Sequence, residues 1–261
     1  MEVFSFNITE FYSFFLTLMR VSLLVFLMPF FGGSNVPNTI KGAFCIVLSL
    51  AVWPRLSFPG AMLPLTTMGL ILTLLGELVL GLVMSIIVNF LFSAIMFGGH
   101  MIGYVMGFSM MNVLDPMSGT SESVTAQLMY QCTILIFLSM DGHLFILSGL
   151  ADSFHLIPPG GLFITANLAA SMLDFSSQLF VLAVKISGPV VAAVLMVDLA
   201  LALVSRAAPQ MNVIQMGFPL KVGVGFIFMT LVLVALTHFV GDYIIELKSM
   251  FTAVMNRPVA R

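Results

Sequence analysis

Residues 62–97 read MLPLTTMGLILTLLGELVLGLVMSIIVNFLFSAIMF, and their one charged residue is Glu77. A helix crosses the hydrocarbon core of a bilayer with about 20 apolar residues, so this run of about 35 is too long for one simple crossing. Such a run predicts a tilted helix, a kinked helix, or a hairpin that turns near Gly76 or Gly81. It indicates a helical membrane protein and leaves the path of this segment open.

The composition of the whole chain agrees with a membrane protein. Hydrophobic residues make up 60% of the 261 positions, charged residues make up 8%, and the mean hydropathy is +1.15. A soluble domain carries about 25% charged residues, because its water-facing surface must be covered. The net charge of −2 provides no basic field for nucleic acid. We therefore predict an all-α integral membrane protein.

Six apolar segments divide the chain, which we interpret as one domain over residues 1–261. The second segment is too short to cross a bilayer alone, whereas the first, fourth, fifth and sixth have a suitable length. We expect the first to be a retained membrane segment rather than a cleavable signal. Proline and glycine clusters separate the segments, the last cluster at Pro209 and Pro219. The segments are 11–31, 43–53, 62–97, 127–150, 177–204 and 222–240.

The loop charges give contradictory orientations for the fourth segment. Residues 141–174 contain three aspartates and no lysine or arginine, which is typical of an external loop. The connection before the segment, with Asp115 and Glu122, also has the character of an external loop. One crossing cannot have both ends outside. Either the segments are miscounted or some of the helices do not cross.

Four ionisable residues lie inside apolar runs, namely Arg20, Glu77, Lys185 and Asp198. Each would cost at least about 2.5–3.5 kcal/mol near the centre of a bilayer. Lys185 and Asp198 are 13 positions apart, about 20 Å along one helix, so they cannot pair there. One interpretation is that these groups pair with a neighbouring subunit or helix. The other is that they form a proton or ion pathway.

Gly99, Gly103 and Gly107 repeat at intervals of four in an otherwise apolar stretch. This spacing puts three missing side chains on one helix face and lets another backbone approach closely. A flexible glycine hinge is the alternative interpretation. The methionine-rich residues 106–117 follow directly, and soft, unbranched methionines suit either ordinary core filling or an adaptable plug.

Four groups of residues, in chain order, together resemble one known family. They are Arg20 with Pro29-Phe-Phe-Gly-Gly-Ser-Asn-Val-Pro37 and Lys41; Glu77, Gly81, Gly99, Met106-Gly-Phe108 and Asp115-Pro116; Asp141-Gly-His143, Ser153 and Pro158; and Asp198, Arg206-Ala-Ala-Pro-Gln-Met-Asn212 and Met216-Gly-Phe-Pro-Leu-Lys221. This series is similar to FliR, the flagellar biosynthetic membrane protein of the bacterial type III export gate. The stretch 216–220 resembles the flagellar branch more than the injectisome branch.

The resemblance implies a non-enzymatic role. We expect no cofactor and no metal site, because the spacing of His143 and His155 with Asp141 and Asp152 matches no tight ligand pattern. Proteins similar to this chain assemble with FliP and FliQ, cooperate with FlhB, and let unfolded flagellar proteins pass outward. The implied architecture is a set of long, kinked helical hairpins packed into a helical hetero-oligomer, in which some helices do not span conventionally. The implied location is the bacterial inner membrane, in the flagellar basal body.

The resemblance also implies roles for particular residues. The loop over residues 108–122 corresponds to one that contributes to closing the pore. The candidates for this plug are Met106, Phe108, Met110, Met111, Asp115, Pro116 and Met117. The candidates for subunit pairing or proton coupling are Arg20, Glu77, Lys185, Asp198 and Arg206.

The alternative function is a self-contained proton- or ion-coupled secondary transporter with a midplane site at Arg20, Glu77, Lys185 and Asp198. Such transporters often contain an internal repeat, and this chain shows none. A membrane-embedded enzyme is less favoured, because the sequence contains no nucleophile–base or metal-binding pattern.

Overall fold

The computed structural model describes residues 8–32, 36–53, 66–108, 123–158, 166–210 and 212–255. Within these ranges the chain forms eight α-helices and no strand. In chain order the helices are α1 (Ile8–Leu27), α2 (Pro29–Gly32), α3 (Asn38–Val52), α4 (Thr67–Met106), α5 (Val124–Ser139), α6 (Gly142–Leu156), α7 (Ala166–Ala207) and α8 (Val213–Met255).

Four of these helices are long and apolar enough to cross a membrane, namely α1, α4, α7 and α8. The pair α5 and α6 would make a fifth span if the two counted as one. Helix α3 is apolar but has 15 residues, fewer than the roughly 20 that a crossing needs. The protein is an all-α membrane protein, and this fold class is confirmed.

Helix α4 resolves the path of the overlong third segment. Residues 67–106 form one continuous helix of 40 residues, so the hairpin alternative is wrong. Gly81 lies inside this helix, and a Cβ added there would lie 2.9 Å from the Cβ of Leu23 and 3.2 Å from the carbonyl oxygen of Arg20. The glycine allows α1 to pack closely against α4.

The fourth segment, 127–150, is not a single straight helix. Helices α5 and α6 meet at an angle of 68°. Asp141 causes the break, because its backbone is left-handed, with φ of 57°. A few per cent of non-glycine residues adopt this conformation, and aspartate is among those that tolerate it. Its carbonyl oxygen then accepts the N–H of Leu144 at 2.9 Å, which begins α6.

Helices α7 and α8 are longer than the sequence segments within them, with 42 and 43 residues. The sequence pattern predicts that Pro219 lies in the loop between the two helices, but it lies inside α8. The cause is Asn212, whose Oδ1 accepts the N–H of Gln215 at 3.3 Å and caps the helix before the proline is reached. Pro189, inside α7, is likewise accommodated without ending the helix.

The described residues fall into two compact units. The first unit draws on Met1–Asn89, Asp141–Phe175 and Ile244–Arg261. Its core is apolar and comes from α1, α4, α6 and the end of α8. Buried side chains of this core include Leu16, Val21, Leu24, Leu80, Met84, Ile87, Leu150, Phe154, Leu247 and Phe251.

The second unit draws on Phe90–Met140 and Ser176–Tyr243. Its buried apolar side chains include Leu91, Phe92, Ile95, Ile102, Met106, Met129, Phe137, Ile186, Val190, Val194, Leu236 and Val240. Phe92 packs edge-on against both Tyr130 and Phe137. Helices α4, α7 and α8 contribute to both units, so the interpretation of residues 1–261 as one domain stays a prediction.

Candidate functional site

Arg20 and Glu77 form a buried ion pair in the first unit. The buried face of α1 includes Ser13, Leu16, Thr17 and Leu24, and the helical period puts Arg20 on the same face. The guanidinium donates two bonds to the carboxylate, from Nε at 2.7 Å and from Nη2 at 2.9 Å. Both side chains are 0% exposed. This bidentate geometry satisfies charges that would otherwise be buried at a high cost.

The same guanidinium also binds the carboxyl end of α6. Its Nη1 donates to the carbonyl oxygens of Ser153 at 3.2 Å and Ile157 at 3.0 Å. The ring of Phe154 packs over the cation, with its centroid 4.3 Å from Cζ. One arginine thus satisfies a carboxylate of α4 and the partly negative end of α6. We call Arg20, Glu77, Ser153, Phe154 and Ile157 the arginine cluster.

Three of the five charged candidates pair with residues on other helices of this chain, which is one form of the pairing with a neighbouring subunit or helix that the sequence suggests. Arg20 and Glu77 pair with each other, and Asp198 of α7 pairs with Lys221 of α8. Periodicity could not reveal these pairs, because their members lie on different helices that only tertiary folding brings together. Pairing lowers the cost of burying the Glu77 carboxylate, whereas the pair of Asp198 and Lys221 is partly exposed, at 40% and 26%.

Lys185 and Arg206 differ from the other charged candidates. Both side chains are exposed, and within the ranges that the structure describes neither has an ion-pair or hydrogen-bond partner. Lys185 lies on α7 among apolar residues, whereas Arg206 lies in the last turn of that helix. Among the described residues, three of the five candidates are therefore paired and two are not.

Gly99 and Gly103 let α5 approach α4 closely in the second unit. A Cβ added at Gly99 would lie 2.5 Å from Cα of Ala126 and 3.1 Å from its nitrogen. One added at Gly103 would meet the hydroxyl oxygens of Ser123 and Thr125. The Thr125 hydroxyl donates to the carbonyl oxygen of Gly99 at 2.8 Å, a bond that the short separation permits.

Gly107 has a different role from the other two glycines. Helix α4 ends at Met106, and Gly107 follows with φ of 91°, a conformation that favours glycine. The N–H of Phe108 bonds the carbonyl oxygen of Gly103 at 3.0 Å, and that of Gly107 bonds Tyr104 at 3.1 Å. These two bonds are those of a Schellman motif. The expected three-glycine packing face therefore contains two glycines and a helix terminator.

Phe108, just after the end of α4, packs against two phenylalanines of α8. The ring of Phe108 lies edge-on to Phe218 and Phe226 of α8, with centroid distances of 6.4 and 6.3 Å. Met106 is fully buried, and a Cβ added at Gly225 would come within 2.7 Å of its Sδ. We call Met106, Gly107, Phe108, Phe218 and Phe226 the loop base.

The other plug candidates, Met110, Met111, Asp115, Pro116 and Met117, lie outside the described residues. Sequence reasoning missed Phe218 and Phe226 as neighbours of Phe108, although the motif Met216-Gly-Phe-Pro-Leu contains Phe218. It also missed Ile157, and it did not connect Ser153, one of the residues that carry the resemblance, with Arg20, because backbone carbonyl oxygens carry no residue-type signal.

Both cysteines are free thiols. Cys45 of α3 is 2% exposed, and burial raises the pKa of its thiol. Cys132 of α5 is half-buried. Among the residues that the structure describes, no three His, Cys, Asp or Glu side chains come together in a way that could hold a metal ion.

Comparison with known proteins identifies one family. The model of the family described as "Bacterial export proteins, family 1" matches residues 11–247. The chain is 32% identical to the flagellar biosynthetic protein FliR of Aquifex aeolicus, over 90% of this chain and 91% of the relative. It is 32% identical to the FliR of Bacillus subtilis over 82% and 83%, and 27% identical to that of Escherichia coli over 93% and 92%.

Proposed function

Because this chain belongs to the bacterial export proteins of family 1, we propose that it is a pore-forming subunit of the flagellar type III protein export gate. The observation that carries the proposal is the similarity to FliR proteins over more than four fifths of the chain. Those relatives are named as flagellar biosynthetic proteins, and a role in the flagellar export apparatus follows from the family. Formation of the pore by this subunit goes beyond what the family shows and is our proposal.

The exposed apolar surface of α7 and α8 supports assembly with other subunits. Most exposed side chains are apolar between Phe180 and Val204 of α7, about 36 Å along the helix, and between Met216 and Val234 of α8, about 27 Å. Only 28% and 22% of the apolar windows of these two helices are buried inside the chain. The rest is open to lipid or to other apolar helices. We propose that FliP and FliQ subunits cover part of this surface and that FlhB cooperates with the complex.

The loop base supports a plug role for the residues that follow it. Phe108 is packed against Phe218 and Phe226, so the point where residues 109–122 leave α4 is defined. Several methionines follow, and methionine adapts its shape to varied neighbours. We propose that this loop seals the pore and yields to the exported flagellar proteins. The assembly would lie in the bacterial inner membrane, in the flagellar basal body.

Deletion of the gene tests the function directly. We expect the deletion strain to secrete no hook or filament protein and to carry no filaments, because the export pore would be incomplete. Secreted proteins are measured by immunoblot of the medium, and filaments by electron microscopy. The control is the same strain with the wild-type gene on a plasmid, which should recover both. Normal filaments in the deletion strain would exclude the proposed function.

Shortening the loop by removal of residues 109–120 tests the plug. We expect the membrane to leak ions and small solutes, because the pore would lack its seal while the subunit still assembles. The measurement is the influx of a small impermeant dye or the loss of membrane potential. A matched control replaces Met110, Met111 and Met117 with leucine, which nearly conserves volume and should leave permeability low. Unchanged permeability in a correctly assembled, shortened complex would remove the plug role.

The secondary-transporter alternative receives less support from the charged residues. Arg20 and Glu77 belong to the first unit and satisfy each other, whereas Asp198 pairs with Lys221 in the second. A midplane transport site would need groups that are free to bind an ion. The native mass of the assembly in mild detergent separates the two functions: a monomer or dimer favours a transporter, and a large hetero-oligomer favours the gate.

A further inference from the structure

Lys185 is an exposed cation within an exposed apolar stretch of α7. The large apolar residues that are exposed around it run from Phe180 to Val204 and include Val181, Val184, Leu195 and Leu199. Any window of about 20 residues inside 180–204, the length of one crossing, contains Lys185. Wherever a bilayer crosses this stretch, the ammonium lies within its hydrocarbon core or at its edge. An isolated charge is strongly disfavoured there.

None of the residues that the structure describes neutralises Lys185. Asp198, the other charged residue in the apolar part of α7, lies about 20 Å away along the helix and pairs with Lys221. No ion pair or hydrogen bond joins Lys185 to any residue that the structure describes. A partner for this cation is therefore not found among the described residues.

The helix face around Lys185 has the shape of a helix-packing surface. Val181, Gly188 and Ala192 lie four residues before, three after and seven after Lys185, so all four share one face. Val181 is 54% exposed, and a Cβ added at Gly188 would meet nothing within 4 Å. Small residues beside a long one allow a second helix to approach closely. We call Val181, Lys185, Gly188 and Ala192 the Lys185 face.

We propose that the Lys185 face packs against an apolar helix of a partner subunit that carries an aspartate or glutamate opposite Lys185. The proposal rests on the multi-subunit assembly proposed above. A protein partner is favoured over lipid because acyl chains offer no carboxylate to a cation inside the hydrocarbon core, whereas a partner helix can. A carboxylate in that partner removes the cost of leaving the cation unpaired.

Charge reversal tests the ion pair in the intact assembly. An affinity tag on this chain recovers its partner subunits in mild detergent. We expect Lys185→Glu to reduce the recovered partner at least tenfold, Lys185→Arg to retain it, and Lys185→Met to give an intermediate loss. In the Lys185→Glu variant, changing one carboxylate of the partner subunit to lysine should restore the recovery of that subunit. Lys248→Glu is the matched control, because Lys248 is also exposed but pairs with Asp152 of its own chain.

Cross-linking tests the contact while Lys185 is intact. A photo-reactive amino acid at position 181 or 192 should join the chain to a helix that contains an acidic residue. Adducts with lipid only, or recovery of the partner with Lys185→Glu at the wild-type amount, would overturn the proposal. The proposal would also be overturned if no carboxylate-to-lysine change in the partner subunit restored its recovery with Lys185→Glu.

The two proposals can fail separately. If the deletion strain still exports flagellar proteins, the function is wrong, and cross-linking at 181 and 192 still reports the partner. If the deletion strain does not export but Lys185→Glu recovers the partner normally, only the ion pair is wrong.

Discussion

Arg20→Ala is expected to lower the free energy of unfolding by about 3–5 kcal/mol, because it leaves the buried Glu77 carboxylate without its bidentate partner. It also removes the donors to the carbonyl oxygens of Ser153 and Ile157 at the end of α6. Alanine cannot satisfy any of these groups. The measurement is equilibrium unfolding of the purified full chain in mild detergent, with a parallel measurement of its abundance in the membrane.

The matched control for this prediction is the ion pair between Lys248 and Asp152. It joins α8 to α6 in the same unit, with a nitrogen–oxygen distance of 3.2 Å, but its side chains are 61% and 45% exposed. Exposed pairs contribute about 0–1 kcal/mol, so Lys248→Ala should change the stability little. Equal effects of Arg20→Ala and Lys248→Ala would show that burial of the arginine cluster is not important.

Double variants separate the charge of the arginine cluster from its geometry. Arg20→Met combined with Glu77→Leu should be more stable than Arg20→Ala, because it does not leave the Glu77 carboxylate buried without its bidentate partner. Exchange of the charges, by Arg20→Glu with Glu77→Arg, should not restore stability. The new carboxylate would face the carbonyl oxygens of Ser153 and Ile157, which need donors. Full recovery by the exchange would contradict the role of α6 in this cluster.

Gly99→Ala is expected to destabilise the second unit by about 1–3 kcal/mol, the usual cost of overpacking. The added Cβ would lie 2.5 Å from Cα of Ala126, and backbone cannot move aside as a flexible side chain can. Separation of α4 and α5 would also weaken the bond from the Thr125 hydroxyl to the Gly99 carbonyl oxygen. Gly99→Leu should cost more than Gly99→Ala, and the same unfolding measurement in detergent compares them.

Gly42→Ala is the matched control for Gly99→Ala. Gly42 lies inside helix α3, and nothing lies within 4 Å of a Cβ added there. Alanine in a helix interior is favoured over glycine by about 0.5–1 kcal/mol, so this variant should be as stable as the wild type or more so. If Gly99→Ala were also neutral or stabilising, the close approach of α4 and α5 would be wrong.

The candidate sites were predictable to different extents. The spacing of Gly99 and Gly103 predicted a close helix contact, because the period of a helix is a local property of the chain. It did not predict that Gly107 ends α4, since that depends on two backbone hydrogen bonds in the final turn. The apolar surroundings of Arg20 and Glu77 marked both residues as unusual. Their pairing could not be predicted, because 57 positions separate them along the chain.

The sequence by itself determined that this is a membrane protein and which family it belongs to. Both properties depend on composition and on residues in a fixed order, which folding does not alter. The tertiary structure decided that residues 67–106 form one helix, that residues 127–150 bend at Asp141, and that Arg20 joins α1 to α4 and α6. The physical reason is that apolar side chains in this chain are almost everywhere. Hydrophobicity therefore does not show which helices pack against one another. The glycine contacts and the few charges that must be satisfied decide which helices meet.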